Sequence, residues 1–335
     1  MTGPQEPSAS LDAWSAPYRG TRALVFGGTG FLGKHVAAAL ARAGAQPHWT
    51  TRDRALAGPG ALGFAGGRGH VADLRDERAV REVVAAVRPA IAFNLAGYGV
   101  DPVERDEVDA HLLNAAFVAT AARALSEAPP AGESVAGRTE LLRLVHVGSA
   151  LEYGAAAGDL HESTEPRPTT LYGRTKLAGT QLLAEACAGS PLRAATARLF
   201  MVYGPGEREG RLLPSLLRAA AARAPIELTA GAQQRDFTFV GDAAEGLLRL
   251  GAAASVRPGE VVNLATGRLT SVRAFAETAA RILGLPPELL RFGALATRGE
   301  EMSHAPVAVG RARVLLGWLP PTTVEEGLRR SAAAR

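Results

Sequence analysis

Short apolar runs alternate with amphipathic helical stretches along the first 200 residues of the chain. The run RALVF at 22–26 is followed by a helical pattern over about 32–43 and by a second strand at about 47–50. The rhythm continues with a strand at 90–95, a helical stretch over about 104–125, and the continuous apolar run LLRLVHVG at 141–148. Continuous apolar strands separated by helices are typical of a parallel sheet covered on both faces. The pattern therefore predicts an α/β fold built on a doubly wound parallel sheet with right-handed crossovers.

The rhythm becomes less regular beyond residue 203, with helices predicted near 211–223, 241–253 and 271–283 and only short strands between them. We therefore divide the chain into a large domain at 21–203 and a smaller C-terminal α/β lobe at 204–335. Residues 1–20 are rich in Pro, Ser, Gly and Ala without any period, which predicts a flexible tail or a loosely docked arm. The turn formers at 129–139 predict a long surface loop.

The composition excludes several classes of protein. No apolar run reaches the roughly 18 residues of a membrane span, and the N-terminus lacks the charged and apolar regions of a signal peptide, so we expect a cytoplasmic protein without a membrane partner. The net charge is +4, and the positive residues are scattered, which disfavours a nucleic-acid partner but suits an anionic small ligand. The single cysteine, Cys187, is predicted to pack on a helix, and no metal site is predicted.

The glycines of GGTGFLG follow the first predicted strand directly and open the first predicted helix. Gly27 permits a tight turn, Gly30 lets the backbone approach a pyrophosphate, and Gly33 allows close packing of helix on strand. The helix N-terminus adds free N–H groups and the positive end of the helix dipole. This context predicts a Rossmann dinucleotide site, and a glycine-rich turn without a ligand is the alternative.

The end of the second strand discriminates NAD from NADP, because an acid there binds the ribose hydroxyl and repels a phosphate. The chain has Thr50, Thr51 and Arg52 at this position, so Arg52 can pair with a 2′-phosphate. NADP(H) is therefore favoured, and NAD(H) remains the alternative because Asp53 lies one residue further along. Asp73 is expected either to accept a hydrogen bond from the adenine amino group or to cap a helix.

Tyr172 and Lys176 lie four residues apart in a stretch with helical character and therefore project from one helix face. A phenol with a pKa of about 10 is a poor acid or base at neutral pH, and a neighbouring ammonium lowers that pKa. Ser149 ends a strand at the carboxyl edge of the sheet, where its hydroxyl can hold a substrate oxygen. A Tyr–Lys pair alone is usually a solvated surface pair, but together with Ser149 and the glycine turn it predicts a hydride-transfer site. We expect the cofactor to contact Gly27, Gly30, Phe31, Leu32, Gly33, Thr51, Arg52, Asp73, Leu74, Leu95, Ala96, Tyr172 and Lys176.

Several segments of the sequence are similar to one known family. They are GGTGFLG at 27–33, VGSALEYG at 147–154, the Tyr172 and Lys176 pair, RLFMVYGPG at 198–206 and QRDFTFVGDAAEGL at 234–247. The chain resembles the extended short-chain dehydrogenase/reductases, a group of nucleotide-sugar epimerases, dehydratases and 4-ketoreductases. The resemblance runs from about residue 21 to the C-terminus.

The resemblance implies a nucleoside diphosphate sugar as substrate, bound mainly by the C-terminal lobe. It assigns the contacts with the diphosphate to Arg235 and Arg298, and two guanidinium groups suit a diphosphate chemically. A surface or interlobe ion pair is the alternative for each arginine. The family commonly forms homodimers through a four-helix bundle, for which the helices at about 104–125 and 170–187 are the candidates.

The resemblance leaves the reaction open. The 4,6-dehydratases of the family carry two acidic residues directly after the catalytic hydroxyl residue, where this chain has Ala150 and Leu151. Dehydration is therefore disfavoured, since Glu152, one position further along, would have to act as both acid and base. We favour an NADPH-dependent reduction of a keto group, at C4 of a deoxysugar, in which Tyr172 donates the proton.

Two other hypotheses remain. An NAD-dependent 4-epimerase would oxidise and re-reduce one carbon without external electrons. A non-catalytic dinucleotide-sensing protein would share the fold, although the retention of Ser149, Tyr172 and Lys176 disfavours it. The nucleotide, the sugar and the stereochemistry depend on loop contacts around Tyr98, Gly99 and 205–212.

Overall fold

The structure is a computed structural model, and it describes residues 14–64, 66–100, 104–130, 141–156, 158–296 and 303–334. Its strands are β1 (Arg22–Phe26), β2 (Gln46–Thr51), β3 (Gly58–Pro59), β4 (Arg68–Val71), β5 (Ile91–Asn94), β6 (Leu144–Ser149), β7 (Ala194–Leu199), β8 (Met201–Tyr203), β9 (Ile226–Leu228), β10 (Gln234–Phe239), β11 (Glu260–Leu264), β12 (Leu269–Ser271) and β13 (Leu290–Phe292). Its helices are α1 (Phe31–Arg42), α2 (Glu77–Val87), α3 (Glu107–His111), α4 (Phe117–Glu127), α5 (Leu171–Cys187), α6 (Leu212–Ala222), α7 (Val240–Gly251), α8 (Val272–Leu283), α9 (Gly310–Leu316) and α10 (Val324–Ala333).

Within the described residues, eight strands form the main sheet in the order β11-β7-β6-β5-β1-β2-β4-β3. Neighbouring strands are parallel except β3, which runs antiparallel to β4. The chain proceeds outward in opposite directions from β1, through β2 on one side and β5 on the other, and ligands bind such sheets at this switch point. The doubly wound parallel sheet predicted from the alternating pattern is confirmed.

Alternate residues of β1 point to opposite faces of the sheet and enter different apolar clusters. Ala23 and Val25 pack with α1 and α7 on one face. Leu24 and Phe26 pack with α2, α4 and α5 on the other, where the ring of Phe26 meets Phe117 edge to face at 5.0 Å. Both faces of the central strands are therefore covered, which explains their continuous apolar sequences.

The structure changes the predicted division of the chain at residue 203. The smaller sheets, β12-β10-β8 and β13-β9, pack with α6, α8 and α10 in a separate apolar cluster. However, β11 returns to pair with β7, and Leu247 and Leu248 of α7 join the cluster beneath the main sheet. The apolar faces of α7 and β11 thus place 240–264 in the large domain, and β8 belongs to the smaller lobe. Substrate binding by that lobe stays a prediction.

The end of the predicted N-terminal tail is part of the fold. Tyr18 is fully buried, and its hydroxyl donates a hydrogen bond to Leu248 O at 2.5 Å. The guanidinium of Arg249 lies 4.5 Å from the ring centroid of Trp14. The prediction of a flexible tail is therefore wrong for residues 14–20, and the docked arm, which was the alternative, describes them, because two aromatic side chains anchor them on α7. Residues 1–13 lie outside the described part of the chain.

The described residues can be compared with three expectations drawn from the composition, which concern a membrane span, a metal site and the single cysteine. No helix there is long and apolar enough to span a membrane. No group of three or more His, Cys, Asp or Glu side chains in the same ranges is arranged to hold a metal ion. Cys187 is buried at the end of α5, as predicted. The predicted loop at 129–139 falls mostly on residues 131–140, outside the described ranges.

Candidate active site

The glycine turn after β1 forms a backbone cradle that larger residues would fill. Gly27 has a φ of +75°, and a Cβ there would lie 2.9 Å from Ala96 N. A Cβ on Gly33 would lie 2.2 Å from Gly27 O, so α1 packs directly on the turn. Gly30 caps α1 without a side-chain hydrogen bond, and Gly27 N donates to Thr50 Oγ1 at 3.1 Å. The backbone N–H groups in the first turn of α1 are therefore available to bind a pyrophosphate.

The apolar residues predicted to contact the cofactor surround this turn. Phe31 and Leu32 begin α1 and are half-buried. Leu95 and Ala96 follow β5, and Leu74 follows β4, all three also half-buried. The structure thus gathers them at the carboxyl ends of β1, β4 and β5, and their contact with a cofactor stays a prediction.

The end of β2 carries no carboxylate at the position of Thr51. Thr51 is buried, and its Oγ1 accepts a hydrogen bond from Asp53 N at 3.1 Å. The side chain of Asp53 instead accepts from Ala55 N at 2.8 Å and thereby caps a short 3₁₀ turn. Arg52 is exposed between them. The acid that complicated the sequence interpretation is therefore engaged in a local turn.

Asp73 lies among cations rather than at a helix cap. Its carboxylate forms an ion pair with Arg75 at 2.7 Å, and the hydrogen bond from Arg75, with smaller contributions from the charges of Arg75 and Arg52, lowers the pKa of Asp73. Asp76 caps α2 by accepting from Arg78 N at 2.9 Å, so the alternative in which Asp73 is the cap is wrong. Arg75 also pairs with Asp109 at 3.0 Å, so its charge is shared between two carboxylates, whereas Arg52 acts on Asp73 through its charge alone.

The structure brings together the elements that carry the predicted catalytic residues. Ser149 is the last residue of β6, and a single 3₁₀ turn follows it. Helix α5 lies directly on that turn, since a Cβ on Gly173 would be 2.3 Å from Leu151 O. A Cβ on Gly99, in the loop after β5, would lie 3.6 Å from Cδ2 of Tyr172. The fold therefore brings the end of β6, the first turn of α5 and the loop after β5 into one site.

The protonation of this site differs from the sequence expectation. Burial lowers the pKa of Lys176 to about 8, and the carboxylate of Glu152 opposes that change. Burial raises the pKa of Tyr172 above its usual range, the charges of Glu152 and Glu104 raise it further, and Arg211 lowers it. The expected net lowering of the pKa of Tyr172 is therefore wrong, because burial and the two carboxylates outweigh the charge of Arg211. Near neutral pH the phenol is protonated and the ammonium is mostly charged.

The two positions at which dehydratases carry acidic residues hold apolar side chains in this protein. Ala150 is buried and Leu151 is half-buried. Glu152 is fully buried, and its Oε2 lies 2.8 Å from Nε of Arg198. The only carboxylate of this turn is thus directed into the protein, which leaves it unable to act as both acid and base on a substrate.

Asn114 is a site residue that the sequence interpretation missed. It lies in a π-helical turn at Leu112–Ala116 and is fully buried. Its Nδ2 donates to Tyr98 O at 2.7 Å and to Thr175 Oγ1 at 2.9 Å, while its Oδ1 accepts from Tyr98 N at 2.9 Å. Asn114 therefore joins the loop after β5 to the helix that carries Tyr172. The sequence feature that could have indicated this role is a single amide side chain within the apolar run LLNAAFV.

Two loops at the mouth of the site are linked by charged residues. Gly99 N donates to Glu104 Oε2 at 2.9 Å, and Glu104 pairs with Arg208 at 3.7 Å. Glu207 pairs with Arg211 at 3.4 Å, and burial raises the pKa of Glu207 to about 7. These residues occupy the loops that we expect to determine the sugar. Their positions could not be read from sequence, because they depend on how the two loops approach each other.

The predicted diphosphate contacts are only partly within the described residues. Arg235 lies on β10 with 6% of its surface exposed, and its Nη1 donates to Gln234 O at 3.0 Å. His304 lies beside it, and burial, assisted by the charge of Arg235, lowers the pKa of His304 to about 3. Arg298 lies outside the described residues. The convergence of the two arginines therefore stays a prediction.

Comparisons with known proteins extend over most of the chain. The model of the NAD dependent epimerase/dehydratase family matches residues 23–265. The chain is 30% identical over 320 residues to dTDP-6-deoxy-L-talose 4-dehydrogenase (NAD(P)(+)) from Kitasatospora kifunensis, covering 92% of this chain and 93% of that protein. It is 29% identical over 329 residues to UDP-glucose 4-epimerase from Streptomyces lividans, covering 89% and 91%. The solved structure of MoeE5 in complex with UDP-glucuronic acid and NAD aligns with a TM-score of 0.78 and 27% identity, over 93% of this chain and 98% of MoeE5.

Proposed function

The chain belongs to the NAD dependent epimerase/dehydratase family and is an enzyme, and from this premise we propose that it reduces the C4 keto group of a nucleotide-linked deoxysugar with NADPH. Its resemblance to the extended short-chain dehydrogenase/reductases is thereby confirmed. The observation that carries the proposal is the end of β2, where Thr51 and exposed Arg52 replace the acid that would bind a ribose hydroxyl. The similarity to a 4-dehydrogenase named for NAD(P)+ supports it, because that reaction is the reverse of a 4-keto reduction.

The residues of the site fit a nicotinamide dinucleotide, since Gly30 begins α1 without a side-chain cap and leaves the helix N-terminus to a pyrophosphate, while Gly27 and Gly33 let the turn pack closely. A nicotinamide coenzyme held at this turn would supply the hydride that the keto carbon accepts. Tyr172 gives the keto oxygen its proton, and Lys176 places a positive charge beside the phenolate that remains. Ser149 Oγ accepts from Leu151 N at 3.2 Å, which leaves the hydroxyl hydrogen to donate to the same keto oxygen. Tyr172 is half-buried and its pKa is raised, so the phenol carries its proton before the transfer, as a proton donor must.

The role of Arg52 in coenzyme selection gives a direct test. We expect Arg52→Ala to raise the KM for NADPH about tenfold or more and to leave the KM for NADH nearly unchanged, because only the 2′-phosphate pairs with the guanidinium. Steady-state kinetics with each coenzyme measures the difference. Arg54→Ala is the matched control, since Arg54 is an exposed arginine of the neighbouring 3₁₀ turn. Equal effects of Arg52→Ala on both coenzymes would contradict the assignment.

Arg235 is proposed to bind the diphosphate of the substrate together with Arg298. Replacing Arg235 by alanine should raise the KM for the nucleotide sugar about tenfold or more, because a charge-assisted hydrogen bond to phosphate is lost. The KM for NADPH should not change. Arg291→Ala is the control, since Arg291 is exposed on β13 of the same lobe. A loss of stability without any change in KM would assign Arg235 a structural role.

An NAD-dependent nucleotide-sugar 4-epimerase is the second candidate. The similarity to UDP-glucose 4-epimerase and the NAD in the MoeE5 complex favour it. Mass spectrometry of the nucleotide that co-purifies with the protein, followed by an assay of NADPH consumption on 4-keto-6-deoxy sugar nucleotides, separates the two. Consumption of one NADPH per product supports the reductase, whereas retained NAD without net oxidation supports the epimerase.

The assembly and the location of the protein are also proposals. The family resemblance suggests a homodimer through α4 and α5, which pack side by side on the main sheet. Analytical ultracentrifugation would report the mass of the assembly. A cytoplasmic location, without a nucleic-acid or membrane partner, stays a prediction from composition.

A further inference from the structure

Glu152 fixes the backbone of the residue that is proposed to hold the keto oxygen. Its side chain is fully buried, and Oε1 accepts a hydrogen bond from Ser149 N at 2.8 Å. A Cβ on Gly148 would lie 2.4 Å from the same oxygen, so the glycine leaves the room that the carboxylate occupies. The position of Ser149 at the end of β6 therefore depends on an acceptor at residue 152.

The second oxygen of Glu152 joins this turn to two further elements. Oε2 accepts from Arg198 Nε of β7 at 2.8 Å and from Thr180 Oγ1 of α5 at 3.1 Å. Thr180 lies one helical turn after Lys176 and two turns after Tyr172. One carboxylate thus holds the strand that ends in Ser149 against the helix that carries the proton donor.

Glu152 is also the carboxylate whose charge acts on the buried ammonium. Lys176 is 2% exposed, and its pKa falls to about 8 through burial, with the charge of Glu152 as the opposing effect. Burial and the charge of Lys176 keep the pKa of His146 well below its usual range, so that imidazole is neutral. Within the described residues, the charged or titratable groups near Lys176 are His146 from β6 and Glu152 from the turn after β6, and Arg198 from β7 pairs with Glu152. The groups that act on the phenol of Tyr172, from α5, are Glu152 again and, from the loops at the cleft mouth, Glu104 and Arg211.

We propose that Glu152 is a positioning residue of the reductase site, whose buried carboxylate fixes Ser149 and places a negative charge on α5 within one helical turn of Lys176. The inference rests on the proposed function of Ser149, Tyr172 and Lys176. Glu152 itself does not touch the substrate, because both of its oxygens are hydrogen-bonded within the protein. The role requires a charge, since a neutral acceptor could hold Ser149 N but would not stabilise an ammonium.

The chain contains only two lysines, Lys34 and Lys176, which makes the charge of Lys176 directly observable. Selective ¹³Cε labelling of lysine gives one NMR signal from each, and the exposed Lys34 serves as an internal reference. We expect the Lys176 signal of Glu152→Gln to titrate about one pH unit below that of the wild type, on the order of a single buried charge interaction. An unchanged midpoint would overturn the proposal, and the measurement does not depend on which reaction the enzyme catalyses.

Thr180→Val is the matched control for the titration. It removes a neutral hydrogen bond to the same Oε2 without changing any charge. Its Lys176 midpoint should equal that of the wild type. A shift as large as that of Glu152→Gln would show that packing around the carboxylate, and not its charge, governs the ammonium, and would overturn the proposal.

The kinetic consequence is a shift in the pH dependence of kcat. For Glu152→Gln the alkaline fall in kcat should begin about one pH unit earlier, while the KM for NADPH stays within about twofold. If the glutamine variant does not fold, because Arg198 is left as a buried unpaired charge, Glu152→Asp provides the test. Its carboxylate is one methylene shorter, so kcat should fall about tenfold or more at every pH through the loss of the contact with Ser149 N. Wild-type kcat in Glu152→Asp would overturn the positioning role.

Discussion

Replacing Tyr172 by phenylalanine should lower turnover by about 100- to 10,000-fold, because the proton that the keto oxygen receives then has no positioned donor. The ring remains, so its contact with the loop at Gly99 and the packing of α5 are kept. The affinity for NADPH should stay within about twofold of the wild type. Stopped-flow measurement of hydride transfer and fluorescence titration of NADPH report the two quantities separately.

Tyr203→Phe is the matched control for the loss of a phenolic hydroxyl. Tyr203 is buried in the smaller lobe, and its hydroxyl lies 3.3 Å from Val324 O. Its removal should cost on the order of 1 kcal/mol of stability and leave turnover nearly unchanged. Residual turnover of Tyr172→Phe close to that of Tyr203→Phe would show that another group donates the proton.

The substitution Gly33→Ala should damage both stability and coenzyme binding. The new Cβ would lie 2.2 Å from Gly27 O and 2.7 Å from Gly28 Cα, and both are backbone atoms that cannot rotate away. Overpacking of this kind costs about 1–3 kcal/mol, and the shift of the turn displaces the cradle of the pyrophosphate. We expect the melting temperature to fall by a few degrees and the KM for NADPH to rise about tenfold or more.

Gly310→Ala provides the comparison for that substitution. Gly310 is the first residue of α9, and a Cβ there would meet no atom within 4 Å. Alanine should be neutral or slightly stabilising at this position, because it restricts the unfolded chain. If Gly33→Ala and Gly310→Ala behave alike, then α1 does not pack on the turn as closely as the structure indicates.

Local patterns in the sequence were sufficient for the parts of the site that single elements define. The glycine turn needs only β1 and the start of α1, and the spacing of Tyr172 and Lys176 needs only one helix. The position of Ser149 follows from the end of an apolar strand. Each of these features depends on residues that are close in sequence, so period and spacing determine them.

Features that depend on distant segments could not be predicted. The hydroxyl of Tyr18 meets Leu248 across 230 positions, and the predicted flexible tail was wrong for that reason. The contact between Glu152 and Arg198 spans 46 positions, from the turn after β6 to β7. The pKa of Tyr172 depends on burial and on charges from three segments. The spacing of Tyr172 and Lys176 alone therefore predicted a shift of this pKa in the wrong direction.

The transfer of deuteride from coenzyme to sugar tests the central claim most directly. The protein is incubated with NADPH deuterated at nicotinamide C4 and with a 4-keto-6-deoxy sugar nucleotide, and the product is analysed by NMR and mass spectrometry. The account predicts one deuterium at C4 of the sugar for each NADP+ formed. A product without deuterium, formed while NADPH is not consumed and NAD stays bound, would contradict it.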